Sequence, residues 1–346
     1  MIKPSSLFWC LLCLSFTIEC SEKTNTLSSN QLSVAFYNLD NLYDTLNDPK
    51  TNDDEFTPAG KNKWNSYKYN QKIKKLCKVL SNFDAETCPD VLGVCEIENK
   101  SVLFDLASAI KVSTFDIVHF DSKDERGADV ALLFNKHKLK LLESKKFTPV
   151  FKQDTSDYTR DVLWVKLLIM KSSDTLQFVV CHFPSRREGQ VKSEPKRIEV
   201  AKLCKKIISE KCNLETQNLI VMGDFNDEPK DKSLSHFIGA GDVSLQPQAK
   251  LVNLMFPFYQ DKIGSYRYKD NWNILDQFLI SSHLMSNNFT HYVPNSVFIK
   301  NESWMLQKGK FAAYPHRTFA GNKWLNGYSD HLPIGLRIQI DDKKKN

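Results

Sequence analysis

The sequence predicts an α/β fold. Apolar runs of strand length alternate with segments of helical spacing along most of the chain. Four of those runs close on a residue able to bind metal, move a proton or hold a phosphate. Val34-Ala35-Phe36-Tyr37 leads into Asn38, and a helix follows in which Ile73, Leu76, Cys77 and Leu80 keep helical spacing. Lys72, Lys74, Lys75 and Lys78 of that helix are expected on its wet side. Val91-Leu92-Gly93-Val94-Cys95 leads into Glu96, and a second helix is expected from Val102 to Ile110. Asp129 opens the strand Val130-Ala131-Leu132-Leu133-Phe134. Phe178-Val179-Val180-Cys181 leads into His182, a third helix spans Lys192 to Cys212, and Leu219-Ile220-Val221-Met222-Gly223 leads into Asp224. Strand ends are where α/β folds gather side chains from distant parts of the chain. One polar ending means little; four with this chemistry suggest one shared site.

Composition sets the bounds. The chain has 346 residues, 25% charged and 41% hydrophobic, which describes a folded protein rather than a disordered or fibrous one. The length permits two domains but fits one large domain equally well. Lysine and arginine exceed aspartate and glutamate by 47 to 41, a net charge of +6. That excess suits an anionic partner and rules out a polybasic coat.

The N-terminus reads as a secretory leader over residues 1–20. Lys3 precedes the uncharged run Leu7 to Ile18, and polar Ser21-Glu22-Lys23-Thr24-Asn25 follows. The competing reading is a buried N-terminal helix. Export is expected: periplasmic, secreted, or anchored through a lipid on Cys20, although Glu19 is a poor neighbour for lipoprotein processing. Residues 21–31 read as a tether and 341–346 as a charged tail. Of nine cysteines, Cys95 and Cys181 read as buried thiols. Cys204 and Cys212 stand about 12 Å apart along one helix, too far for a disulfide. Cys77 and Cys88 are left open as a pair.

Short polar motifs carry the functional reading. Gly223-Asp224-Phe225-Asn226-Asp227 and Ser329-Asp330-His331 are the most specific. In the same order along the chain stand Tyr37-Asn38-Leu39-Asp40-Asn41, Cys95-Glu96-Ile97-Glu98, His182 and Leu275-Asp276-Gln277-Phe278. Together they resemble the endonuclease/exonuclease/phosphatase superfamily, the group that contains deoxyribonuclease I and the apurinic-site endonucleases. The polar insertion from Asp44 to Trp64 looks like exported bacterial members of that group. The resemblance covers residues 32–340 as one domain. It implies a four-layer α/β/β/α sandwich of two packed mixed sheets flanked by helices.

The chemistry can be argued from the residue types. A phosphodiester resists attack because it already carries negative charge, so its hydrolysis needs charge neutralisation, an activated water and a stabilised leaving oxygen. The resemblance assigns Asn38, Asp40, Glu96 and Asp330 to the metal, expected to be Mg2+ or Mn2+, hard cations that prefer oxygen ligands. It assigns His182, Asp224, Asn226, Asp276 and His331 to catalysis. His331, held by Asp276, would be a base of fixed tautomer. His182 would donate a proton to the leaving oxygen or bond the phosphate, and Asn38 and Asn226 would donate to phosphoryl oxygens without adding charge. Asp224 would orient the water or tune the histidines. Arg160 matches a phosphate-contacting arginine of deoxyribonuclease I, and Ser185 and Arg186 follow His182 where substrate would lie. Asp129 is a candidate support for His182.

Two positions point to different subfamilies. An imidazole at 182 is like deoxyribonuclease I and the lipid or inositol phosphatases, while Asp40 is like the apurinic-site enzymes. The expected function is an exported metal-dependent nuclease cutting DNA or RNA, with no stable protein partner. Its rivals are a phosphatase or phosphodiesterase acting on a phospholipid or sugar phosphate, and an exported binding protein without turnover. Bland readings stand beside each residue: Asp330 and His331 as a turn before Pro333, and Asn38 and Asn226 as turn formers, while His316-Arg317-Thr318-Phe319 reads equally as a substrate loop or as surface. The tryptophans read as core, Trp64 being the one candidate stacking platform, and His119, His137, His236, His283 and His291 receive no role.

Overall fold

The computed structural model describes residues 30–84, 87–110, 115–151, 155, 157–187, 189–242, 244–286 and 289–341. The leader with Cys20, the tether up to residue 29 and the tail from residue 342 lie outside the described residues. Strand β1 (Gln31–Leu42) is followed by α1 (Ser66–Ser81), β2 (Val91–Ile97), α2 (Lys100–Ala109), β3 (Phe115–His119), β4 (Asp129–Asn135), β5 (Leu139–Phe147), β6 (Val162–Ile169) and β7 (Asp174–His182). Then come α3 (Gln190–Lys211), β8 (Asn218–Asp224), β9 (Leu251–Asn253), α4 (Phe256–Gln260), the ribbon β10 (Tyr266–Tyr268) and β11 (Asn271–Asn273), and β12 (Asp276–Ser281). The chain closes with α5 (Ser282–Ser286), β13 (Thr290–Tyr292), β14 (Phe298–Ile299), the ribbon β15 (Phe319–Ala320) and β16 (Lys323–Trp324), and β17 (Ile334–Ile340).

Two mixed sheets result. The first has the order β13-β17-β1-β2-β4-β3, with β14 also on β17; the second has the order β5-β6-β7-β8-β12-β9. Their facing sides bury Val34, Phe36, Val91, Leu132, Phe178, Val180, Ile220, Met222, Phe278 and Leu336 in one core. On the outer side of the first sheet α1 and α2 cover Ala35, Tyr37, Leu92 and Val94. On the outer side of the second, α3 covers Val179, Cys181, Leu219 and Val221. Strands buried on both faces read as unbroken apolar runs, which is why periodicity found them so readily. Each fully buried Leu, Ile or Phe contributes roughly 1.5–3 kcal/mol, so the three cores dominate the fold's stability.

Topology explains why distant residues share one edge. β1 and β2 are parallel, with Asn38 beside Cys95, and β7 and β8 are parallel, with His182 beside Asp224. Parallel neighbours end together, so Asn38, Glu96, His182 and Asp224 emerge at the same side. β12 runs antiparallel to β8 and starts where β8 stops, placing Asp276 opposite Asp224. His331 enters from the segment before β17, which runs antiparallel to β1.

Gly223 is fixed by this packing. A Cβ there would sit 2.2 Å from the carbonyl oxygen of Cys181 and 2.6 Å from its sulfur. Gly223→Ala is expected to lower unfolding stability by roughly 1–3 kcal/mol in a urea titration, because the clash is partly with backbone that cannot turn away. An unchanged midpoint would show that the spacing of β7 and β8 yields.

Several expectations change. Lys72 is not on the wet side of α1: it is 2% exposed and lies on the buried stripe with Tyr69, Ile73, Leu76, Val79 and Leu80. Trp64 is no stacking platform; it is fully buried, donates from Nε1 to the carbonyl of Tyr43 at 3.0 Å and meets Phe56 edge-on. Gln31, expected in the tether, already pairs with Gln339 in the first sheet. Cys77 and Cys88 are both free thiols, as are Cys95, Cys181, Cys204 and Cys212.

Candidate active site

Backbone conformation at the strand ends is unusual. Asp40, Asn41, Glu96 and Asn226 have φ values of 50°, 59°, 58° and 49°, in the left-handed region. Asparagine and aspartate tolerate it, but glutamate does so only where surrounding structure compels it. The ladder also slips between Asn38 and Leu42 on β1 and between Cys95 and Ile97 on β2. Such bulges re-aim side chains, and here the side chain of Glu96 lies beside Asn38 and Asn41 of β1 and His182 of β7. Strain of this kind costs of order 1–3 kcal/mol per residue and concentrates at functional sites.

A continuous set of contacts links the six expected residues. The amide nitrogen of Asn38 donates to Glu96 Oε1 at 3.2 Å and to Asp224 Oδ2 at 3.1 Å. His182 Nε2 stands 3.8 Å from Glu96 Oε1 and 3.6 Å from Asp224 Oδ2. On the other side of Asp224, His331 Nε2 lies 3.7 Å from the same Oδ2, and its Nδ1 lies 2.7 Å from Asp276 Oδ2. The backbone N–H of Asn226 donates to Asp224 Oδ1 at 2.9 Å. Asp224 is thus the hub, buried between two imidazoles and two amides.

The electrostatics separate the histidines. Burial, with Arg160 and Arg126 nearby, pushes His182 well below the usual imidazole range, so it is neutral. Burial also opposes a charge on His331, but Asp276 and Asp224 outweigh it and raise that imidazole well above its ordinary value. Asp224 is raised to about 7, mostly by burial and against the pull of His331. Asp224 and His331 therefore influence each other, His331 drawing Asp224 down and Asp224 drawing His331 up across 3.7 Å.

Glu96 offers the best cation ligand. Its oxygens accept from Asn38 and from the N–H of Asn41 at 3.1 Å, and its only positively ionisable neighbour within 4 Å among the described residues is the neutral His182. A half-open carboxylate with neutral donors suits Mg2+ or Mn2+. Asn38 turns its NH2 group toward this space while its oxygen accepts from the N–H of Asp40 at 2.9 Å. Asp40 and Asp330, also expected at the metal, have cationic partners: Lys72 Nζ at 4.0 Å and Arg317 Nη2 at 2.5 Å respectively. Asp224, Asp276 and His331 lie close enough to hold an ion, but the Asp276 to His331 hydrogen bond already occupies two of their atoms.

The expected substrate contacts divide. Arg160 is buried and donates to the carbonyl of Phe183 at 2.8 Å and to Asp124 at 3.3 Å. The side chain of Asn226 donates to the same carbonyl at 3.1 Å, so Arg160 stands one peptide from His182. Ser185 is exposed and lines, with Arg126, Tyr158, Arg160, Arg187 and Lys196, a cavity of about 220 Å3. Arg186 instead is spent on structure, held by Asp227 and Asp231 at 3.1 and 2.6 Å. Asp129 does not reach His182: it binds His119 Nε2 at 2.9 Å, giving a role to a histidine that had none. His182 Nδ1 has no hydrogen-bond partner among the described residues.

Sequence reasoning assigned no site role to four neighbours. Tyr266 stacks on the His331 ring with centroids 4.8 Å apart. Ser329 Oγ donates to the carbonyl of Asn38 at 2.7 Å and accepts from the N–H of His331 at 3.0 Å. Thr318 donates its N–H to Asp40 Oδ2 at 2.8 Å, which puts the 316–319 loop, open between substrate loop and surface in the sequence, against the site. Lys72 is the fourth, and its place on the apolar stripe of α1 was the available signal.

A family model described as the Endonuclease/Exonuclease/phosphatase family matches residues 33–340. Among solved structures, humanized D. rerio TDP2 is similar with a TM-score of 0.56 at 15% identity, over 90% of this chain and 100% of that one. The mannosyl-6-phosphatase Bt3783 of Bacteroides thetaiotaomicron VPI-5482 is similar with a TM-score of 0.53 at 16% identity, over 89% and 99%. The human Nocturnin catalytic domain with bound sulfate gives 0.53 at 15% identity, over 90% and 94%. These likenesses are of fold. No curated protein matches the chain in sequence.

Proposed function

Because the chain belongs to the endonuclease/exonuclease/phosphatase family, whose enzymes are hydrolases using divalent metals, we propose that it is a metal-dependent phosphodiester hydrolase acting on DNA or RNA. The observation that supports this reading is the unbroken set of contacts from Glu96 through Asp224 to the His331–Asp276 pair.

Each residue then has a task. Glu96 would hold a Mg2+ or Mn2+ ion, which when bound would supply charge neutralisation at the phosphate and at the leaving oxygen. The Asp224–His331 pair takes the proton of the attacking water, since a base works best when its pKa lies near the operating pH. Asp276 fixes His331 with Nδ1 as the donor, leaving Nε2 toward Asp224 and the water. This departs from the expectation that His331 is the base by itself. His182, neutral, bonds a phosphoryl oxygen through Nε2–H rather than acting as an acid. Asn38 holds Glu96 and Asp224 in register, and Asn226 has its second amide hydrogen available for the substrate.

Around the cavity lined by Ser185, Arg126, Arg160, Arg187 and Lys196 outnumber the carboxylates paired with them, Asp124 and Asp157, which supports a polyanionic substrate. D. rerio TDP2, similar in fold, has been solved with single-strand DNA product. Export is part of the proposal and rests on the leader; among the described residues no helix is long and apolar enough to cross a membrane. The test is a panel of plasmid DNA, RNA, a phospholipid and a sugar phosphate, each with Mg2+ or Mn2+ and with a chelator. Metal-dependent cleavage of nucleic acid is the expected result, with loss of activity in chelator. Release of phosphate from the sugar phosphate alone would reassign the substrate. No turnover on any would remove the catalytic reading.

A further inference from the structure

Lys72 has no part in the chemistry above, yet it is among the most buried charged groups of the protein. Its ammonium has three donors, and three oxygens receive them: Thr318 Oγ1 at 2.5 Å, the Tyr328 carbonyl at 2.8 Å and the Asp40 carbonyl at 3.3 Å. The Asp40 carboxylate stands 4.0 Å away. A buried ammonium survives only where oxygens and an opposite charge replace its water. Here one side chain from α1 ties together the end of β1, the loop before β15 and the segment leading to His331.

Its position divides the acidic groups of the site. Asp40 faces Lys72 and the N–H of Thr318, and Asp330 is gripped by Arg317. Glu96 has neutral donors and half-open access. Two of the three carboxylates expected to bind metal thus have a lysine or arginine within 4 Å, and among the described residues the third has only His182 at that distance.

We propose that Lys72 is a positioning residue that serves as a resident cation on the Asp40 side of the site, so that the protein takes up a single divalent ion, at Glu96. This assignment rests on the metal-dependent reading above, and it adds that Asp40 is bound to protein rather than to the ion. The side chain keeps Asp40 in place whether or not the ion is present.

The experiment reads ion binding without substrate. Metal-stripped full-length protein is titrated with Mn2+ and free Mn2+ is followed by electron paramagnetic resonance. One ion per chain is expected. Glu96→Gln is expected to weaken binding ~100-fold or more, and Asp40→Asn to change it less than ~3-fold, since only the former would touch the ion. Lys72→Met keeps most of the buried stem and removes the charge; with Asp40 uncovered, a second Mn2+ is expected to bind. Two ions in the wild type, or loss of binding in Asp40→Asn, overturns the assignment. So does a folded Lys72→Met protein with unchanged stoichiometry and affinity. Should Lys72→Met fail to fold, the Asp40→Asn and Glu96→Gln titrations still decide. A protein that takes up one ion at Glu96 but cleaves no phosphoester leaves this assignment standing and removes the function proposed above; an active enzyme with two ions does the reverse.

Discussion

His331→Ala is expected to lower kcat by roughly 10^3–10^5-fold while KM moves little. The reason lies in what the imidazole touches. Nδ1 is held by Asp276 at 2.7 Å and Nε2 faces Asp224 at 3.7 Å, so the ring connects two buried carboxylates. Without it the Asp224–His331 pair proposed to take the proton of the water is broken, and Asp224 and Asp276 repel each other directly. General-base catalysis by a placed imidazole typically supplies 10^2–10^4-fold, and disruption of the surrounding pair adds to that loss. The proposed phosphate contacts, at His182 and on the cation side of the site, are left in place, which is expected to keep KM near its wild-type value. The measurement is single-turnover cleavage with saturating Mg2+, beside a thermal unfolding curve showing that the variant is folded. A loss under tenfold would mean that proton transfer does not pass through this ring. Restoration of part of the rate by added imidazole would support the role, because the alanine leaves space beneath Tyr266.

The fold was legible where burial is complete. β1, β2, β7 and β8 are hidden on both faces, so their apolar runs are unbroken and their polar ends stand out. Two parallel pairs then bring those ends to one side, a consequence of topology that periodicity alone does not contain. Asp276 and His331 were legible through their short motifs rather than through strand pattern. What escaped the sequence depends on contacts across long separations. Thr318 reaches Asp40 over 278 positions, and Tyr266 meets His331 through an isolated bridge between a three-residue strand and a loop. Neither leaves a local trace. Asp129 had the right residue type for supporting an imidazole, but β3 pairs beside β4 and offers His119 first. Arg186 likewise had the right charge, yet Asp227 and Asp231 hold it at 3.1 and 2.6 Å. Lys72 is different, because its helical position was readable: residues 69, 72, 73, 76 and 80 form one stripe, and a lysine within it has to find oxygens. Weighing charge above spacing put it in water.

Asp276→Asn is expected to change both the height and the position of the pH–rate profile, and the direction of the shift follows from the charges. In the proposed mechanism the Asp224–His331 pair must be free of its extra proton, so the rate is expected to rise with pH through the apparent pKa of that pair. Burial resists charge on His331, but the Asp276 carboxylate is the largest influence that favours the imidazolium, and it also raises Asp224. Both effects hold the proton on the pair. Replacing the carboxylate with a neutral amide removes both, so the acid limb moves to lower pH whichever partner carries the proton. The plateau falls for a separate reason. An asparagine can present its NH2 to Nδ1, which then must accept, and the proton moves to Nε2 where it blocks uptake from water. A wrong tautomer of this kind costs about 10^4-fold in a related triad geometry, so a drop of ~10^3–10^4-fold is expected here. The profile is measured as kcat/KM from pH 5 to 9 at constant ionic strength and saturating cation. A shift to higher pH would mean that Asp276 does not face the proton-accepting pair. An unshifted limb with a lowered plateau would assign Asp276 to orientation alone.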